Sequence, residues 1–127
     1  MPPRTYLARS FDEASLLLAD FGDFHDATVL RLVLDYAAGQ VEVYVDDVFS
    51  GLEGQAAQPG VIRIEGVQRI ACQIPFVGGQ VRIEGVEIQR TEQGLTLDFS
   101  LTTTEWLDVE DFCVVRLVVD GRLIAVS

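Results

Sequence analysis

From residue 29 onward this chain is read in twos. Val29-Leu30-Arg31-Leu32-Val33-Leu34-Asp35 and Val41-Glu42-Val43-Tyr44-Val45-Asp46 both place side chains alternately on opposite sides of an extended backbone. That period fits strands with one covered face and does not fit helices. The two runs, joined by Tyr36-Ala37-Ala38-Gly39, predict a hairpin. Further alternating runs follow at 61–65, 68–74, 80–88, 95–101, 112–119 and 122–126, with turn signals at Glu92-Gln93-Gly94 and, as a two-residue hairpin, at Asp120-Gly121. The expected fold is mainly β (α+β by count): an antiparallel β-sandwich or rolled sheet of about eight strands with one N-terminal helix.

The helix is signalled from Ser10 to about residue 21. Ser10 and Glu13 make an S-x-x-E capping box, and Asp12 and Glu13 stand where the helix dipole favours negative charge. Phe11, Ala14, Leu17, Leu18 and Phe21 form an apolar stripe, and Gly22 supplies the stop. At 127 residues the chain fits a single domain, 1–127, with the helix over about 10–22 and the β-domain over about 27–127.

Ile64-Glu65-Gly66-Val67 returns as Ile83-Glu84-Gly85-Val86. Two copies are too few for a solenoid, so we read the glycines as two strands that each bend, at a bulge or a corner of a curved sheet. Residues 49–60 make a long glycine-rich loop, and residues 102–111 a second irregular segment holding the only tryptophan.

Charge narrows the function. Twenty acidic residues face nine basic ones, all arginine, for a formal net charge of −11. The arginines lie singly along the chain, so no basic patch offsets the repulsion of a phosphate backbone, and no nucleic-acid partner is expected. A basic protein partner, or a cation, suits such a surface. No apolar run is long enough to span a membrane as a helix, and the first residues lack the apolar centre of a signal peptide, which leads us to expect a cytoplasmic protein and no membrane partner. Cys72 and Cys113 each fall in an apolar run, far from companion ligands; we expect buried free thiols, with a disulfide between them left open.

Three constellations could carry chemistry. The only histidine, His25, stands between Asp23 and Asp26, and the end of the second strand, Asp46-Asp47, would approach it across the hairpin. Asp23, His25, Asp26, Asp46 and Asp47 are therefore the candidate ligands for a divalent metal, the one cofactor the chain suggests. The alternative is that the two flanking aspartates and His25 satisfy backbone groups at the joint between helix and sheet. Trp106, ringed by Glu105, Asp108, Glu110 and Asp111, is a candidate anchor for a basic partner, or else an aromatic plug under a solvated loop. No nucleophile elbow, H-E-x-x-H helix or phosphate-binding glycine loop is present, and one histidine without any lysine leaves most nucleophile–base schemes without a base, so no catalytic residue is assigned.

The helix, then Phe24-His25-Asp26-Ala27, then VLRLVLD and VEVYVDD resemble small bacterial proteins in which an F-H-D segment opens a β-domain, some of which look like the immunity protein 50 family. The likeness covers about the first 50 residues. It implies neutralisation of a bacterial toxin through protein binding, and no catalytic residue. Three readings stand side by side: a non-enzymatic module for a basic protein partner, such as an immunity protein; a metal-binding or metal-dependent hydrolytic domain; and a β-barrel with a small ligand inside it. Unpaired sheet edges would also allow a homodimer.

Overall fold

A computed structural model of the protein describes residues 5–48, 56–73, 80–92, 94–103 and 116–127. In chain order these form β1 (Tyr6–Ala8), α1 (Phe11–Asp20), one 3-10 turn (Gly22–Phe24), β2 (Thr28–Asp35), β3 (Gln40–Val45), β4 (Gly60–Glu65), β5 (Arg69–Gln73), β6 (Val81–Thr91), β7 (Gly94–Thr103), β8 (Arg116–Gly121) and β9 (Leu123–Val126). All nine strands join one antiparallel sheet in the order β1-β9-β4-β3-β2-β6-β7-β8-β5. The rolled sheet expected from the alternation is present, with one strand more than expected. The extra strand is β1, three residues that pair with β9 from Tyr6↔Val126 to Ala8↔Ile124.

The helix begins as its sequence dictates. Ser10 Oγ accepts the Glu13 N–H at 3.1 Å, and the Glu13 carboxylate accepts the Arg9 N–H at 2.7 Å, one residue before the position a standard capping box uses. Such a cap is worth about 1 kcal/mol. Ala14, Leu17 and Leu18 are buried, and α1 lies against β1 and β6.

The sheet rolls through two corners. At one, β2 meets β6 only at Thr28↔Arg82 and Val29↔Val81, extended by Ile83, whose N–H donates to Ala27 O while its carbonyl accepts the Asp26 N–H. At the other, two strands turn together. β4 pairs with β9 and β5 pairs with β8; between them Arg122 N–H donates to Glu65 O, and Gln68 N–H donates to Asp120 O, each at 2.9 Å. β8 and β9 are thus one run bent at Arg122. Asp120-Gly121 is not a hairpin turn but the approach to this corner. The local Asp-Gly signal loses because a Cβ at Gly121 would overlap Ile64 Cγ2 and stand 3.2 Å from Glu65 O; glycine is needed for the close crossing. The sheet does not close into a barrel.

Both glycines of the repeated Ile-Glu-Gly-Val segment mark irregularities, as read from the sequence. Gly66 adopts φ +66 at the corner, and the β6–β7 register slips between Ile83 and Gly85. The β2–β3 hairpin closes over 36–39, and the β6–β7 hairpin closes at Thr91↔Gly94. One register slip was not foreseen. Between Val29 and Arg31 the β2–β3 ladder shifts, so Val29, Leu32 and Leu34 share the inner face with Val45, Val43 and Val41, while Leu30 is 62% exposed.

The interior is wholly apolar among the described residues. Phe99, Ile62, Ile64, Ile83, Leu95, Leu97 and Ile124 are almost completely buried, and no polar or charged residue is buried with them. Side chains of this size contribute about 1.5–3 kcal/mol each on burial. Among the described residues no helix is long and apolar enough to cross a membrane. The expected loop at 49–60 falls partly outside the described residues, as do residues 104–111 of the second irregular segment.

Cys72 departs from expectation: it is exposed and its thiol is free. β5 ends the sheet and pairs only with β8, so no further described strand shelters it. Cys113 lies outside the described residues. Nearby protein atoms still desolvate the Cys72 thiol enough to push its pKa up, which disfavours the reactive thiolate. In a Cys113→Ser background, the native protein is expected to react with a maleimide without unfolding. Its rate should keep rising at pH values where a model thiol has levelled off. Complete protection under native conditions would refute the exposed placement.

Candidate functional site

The joint between α1 and the sheet concentrates the unusual chemistry of the chain. α1 ends at Asp20 with Phe21 as its C-cap, and Gly22, Asp23 and Phe24 then take left-handed backbone angles in succession, with φ of 62, 55 and 54. His25 returns to extended geometry, and Asp26 is left-handed again at φ 70. Only glycine adopts this region freely; aspartate tolerates it, and phenylalanine strains to enter it at a cost of roughly 1–2 kcal/mol. The surroundings impose it. Phe24 is 3% exposed and stacks on Phe21 at 5.5 Å between ring centres, while Tyr6 meets Phe21 edge-on at 5.2 Å. The Asp26 N–H is fixed to Ile83 O at 2.9 Å and the Ala27 N–H to Phe24 O at 3.1 Å.

With Phe24 drawn inward, Asp23, His25 and Asp26 are turned out to solvent. His25 Nδ1 lies 3.1 Å from Asp26 Oδ2, with both side chains more than half exposed, a geometry that contributes little in water. Asp46 does reach across the hairpin, but to the backbone. Its Oδ1 accepts the Thr28 N–H at 2.8 Å, and its own N–H donates to Thr28 O at 3.0 Å, which locks the first residue of β2 to the end of β3. Asp47 follows, half-buried. Among the described residues no three His, Cys, Asp or Glu side chains gather closely enough to hold a metal ion. Asp46 thus satisfies a strand end, while the side chains of Asp23, His25 and Asp26 face solvent. Trp106, Glu105, Asp108, Glu110 and Asp111 lie outside the described residues.

Charge is distributed unevenly. Residues 10–48 hold nine carboxylates (Asp12, Glu13, Asp20, Asp23, Asp26, Asp35, Glu42, Asp46 and Asp47) against one arginine, Arg31, so this third of the chain carries −8 of the total −11. Asp20 occupies the last turn of α1, where no basic residue answers it, and Asp23 and Asp26 follow at once. Negative charge at a helix C-terminus opposes the dipole and costs some tenths of a kcal/mol per group. The outward stripe of the helix, Asp12, Glu13, Leu16, Ala19 and Asp20, sets an exposed leucine between carboxylates. This distribution was readable from sequence, in the spacing of acids along residues 10–48, but it becomes a surface only once the buried stripe of α1 is known.

Several charges are answered locally, on α1 as well, where Asp12 meets Arg90 of β6 at 3.3 Å and the same guanidinium lies 4.9 Å over the Phe11 ring. On the outer face of β5-β8-β7-β6, Asp120 takes the Thr96 hydroxyl at 2.6 Å and Arg69 Nε at 3.2 Å, and Arg116 pairs with Asp98. The hydrogen bond and charge of Asp98 hold the Arg116 guanidinium more firmly protonated than usual. On the β2–β3 hairpin Arg31 lies 4.0 Å over the Tyr44 ring, whose hydroxyl donates to Glu42 at 3.2 Å. Against known proteins, neither a family model, nor a curated protein, nor a solved structure matches this chain.

Proposed function

We propose that this chain is a non-enzymatic binding module for a basic protein, acting as an immunity protein acts on a toxin. One observation carries the reading: −8 of the −11 charges lie within residues 10–48, where nine carboxylates accompany one arginine; Arg90 of β6 answers Asp12, but Asp20, Asp23 and Asp26 are exposed with no arginine against them among the described residues. Like charges crowded on one part of a small domain repel each other and lower its stability, whereas a partner of opposite sign is attracted and steered by the same field. The likeness of the first 50 residues to small bacterial proteins with an F-H-D segment, some of which look like the immunity protein 50 family, supports the same reading, as does the poverty of base and nucleophile types across the chain.

The test is co-expression with the product of the neighbouring reading frame, followed by binding measured across a salt series. A complex is expected whose association slows steeply as salt rises. The triple change Asp20→Asn, Asp23→Asn and Asp26→Asn should weaken it by about tenfold or more, mainly through association rate. Asparagine tolerates the left-handed angles at 23 and 26, so the fold is preserved. Association indifferent to salt and to these three changes would overturn the proposal.

A further inference from the structure

A rolled sheet that does not close leaves openings, and α1 occupies the one between β1 and β6. A second opening lies between the tip of the β2–β3 hairpin and the β4–β5 corner, where a cavity of about 290 Å³ is found. Its apolar wall is made by Leu34, Val41, Val67 and Ile70. Leu34 is an inner-face residue, opposite buried Val41, yet it remains 42% exposed because β2 parts from β6 after Val29 and nothing described pairs with that edge. The floor is held shut by the Val67 N–H, which donates to Gly39 O at 2.9 Å.

The rim carries charge of both signs. Asp35 uses one carboxylate oxygen, Oδ1, to accept the Ala38 N–H at 3.0 Å, which leaves Oδ2 to a ligand. Arg69 is paired with Asp120 through Nε at 3.2 Å, and with its side chain 83% exposed its two terminal nitrogens stay open to solvent beside the opening. A volume of this size lies between the engineered cavity of about 150 Å³ that binds benzene and the range of 300 Å³ or more that takes drug-sized ligands. A further cavity among the described residues, about 220 Å³ and lined by Glu87, Gln89, Thr96, Asp98, Arg116 and Val118, lacks this character, because Val118 is its one apolar side chain.

We propose that the opening between the β2–β3 hairpin and the β4–β5 corner binds a free α-amino acid with an apolar side chain. The side chain lies on Leu34, Val41, Val67 and Ile70, the ammonium faces Asp35 and the carboxylate faces Arg69. A zwitterion suits an opening with one charge of each sign, whereas a simple anion would meet the field of a protein carrying −11. This site is separate from the acidic joint and does not depend on the partner proposed above.

The experiment is an amide NMR titration of the whole chain with L-phenylalanine, phenethylammonium and 3-phenylpropionate. L-Phenylalanine is expected to bind with a Kd on the order of 1 mM, in keeping with a small ligand in an open site. The shifts should centre on Leu34, Gly39, Val41, Val67 and Ile70. Both exposed-charge variants should fold normally. Asp35→Asn should weaken L-phenylalanine and phenethylammonium about threefold while sparing phenylpropionate; Arg69→Gln should weaken L-phenylalanine and phenylpropionate by a similar factor while sparing the amine. No saturable shift at these amides would overturn the proposal. So would equal binding of all three probes, which would mean that only the phenyl ring is recognised.

Discussion

Phe24→Ala is expected to destabilise the protein by about 3–5 kcal/mol, which for a domain of this size approaches its whole stability. The ring is 3% exposed and stacked on Phe21, so its removal leaves a cavity at the foot of α1. The loss should exceed that of an ordinary core phenylalanine in its reach. Phe24 sits at φ 54, directly after Asp23 at φ 55 and two residues before Asp26 at φ 70, and its burial is what holds these angles. Without it the joint is free to return to right-handed geometry, which withdraws the Asp26 N–H from Ile83 O and loosens the β2–β6 corner. Chemical denaturation should show a reduced midpoint, and hydrogen exchange should show Asp26 and Ile83 opening ahead of the β3–β4 amides. A loss below about 1 kcal/mol would show that the ring does not anchor the joint.

Gly121→Val should cost about 3 kcal/mol or more, because the new side chain enters the crossing where β8 becomes β9. Its Cβ would overlap Ile64 Cγ2 and press within 3.2 Å of Glu65 O, a backbone atom that is already tied to Arg122 N–H. Gly94 lies on the other side of the same crossing, with its α-carbon facing the Gly121 carbonyl, so the strand cannot retreat that way. The discriminating measurement is a double-mutant cycle with Ile64→Ala. If Gly121 serves a corner, trimming Ile64 recovers part of the loss and the two changes couple by 1 kcal/mol or more. If Gly121 instead served a hairpin turn, the two changes would simply add.

That contrast shows where sequence reasoning held and where it stopped. Patterns that act within a few residues were legible. Ser10 and Glu13 cap α1, Gly22 ends it, the 36–39 turn closes the first hairpin, and Gly66 and Gly85 mark a corner and a bulge. What failed was decided by residues distant in sequence. Asp120-Gly121 looks like a turn until Ile64 is brought against it, and Cys72 looks buried until β5 proves to be the last strand of the sheet. The slip at Leu30 puts Val29 rather than Leu30 on the inner face with Leu32 and Leu34, since a single extra residue in a period of two exchanges inside for outside on one side of the slip. For the candidate site, the approach of Asp46 across the hairpin was legible from strand direction. Its destination, the Thr28 N–H rather than His25, depended on a register that alternation alone does not set.

The pairing of β1 with β9 has a consequence for the order of events during synthesis. Tyr6 leaves the ribosome well before its neighbour Val126 exists, and at typical elongation rates the wait is on the order of ten seconds. β9 also pairs with β4, so two partners wait for the same four residues. Until they emerge, the stripe of α1 and the inner faces of β3 and β4 have an incomplete sheet to cover them, a state in which chains aggregate or recruit chaperones. Contacts this far apart also slow folding after release. A stop codon shortly before residue 123 would therefore leave β1 and one edge of β4 with no strand to join.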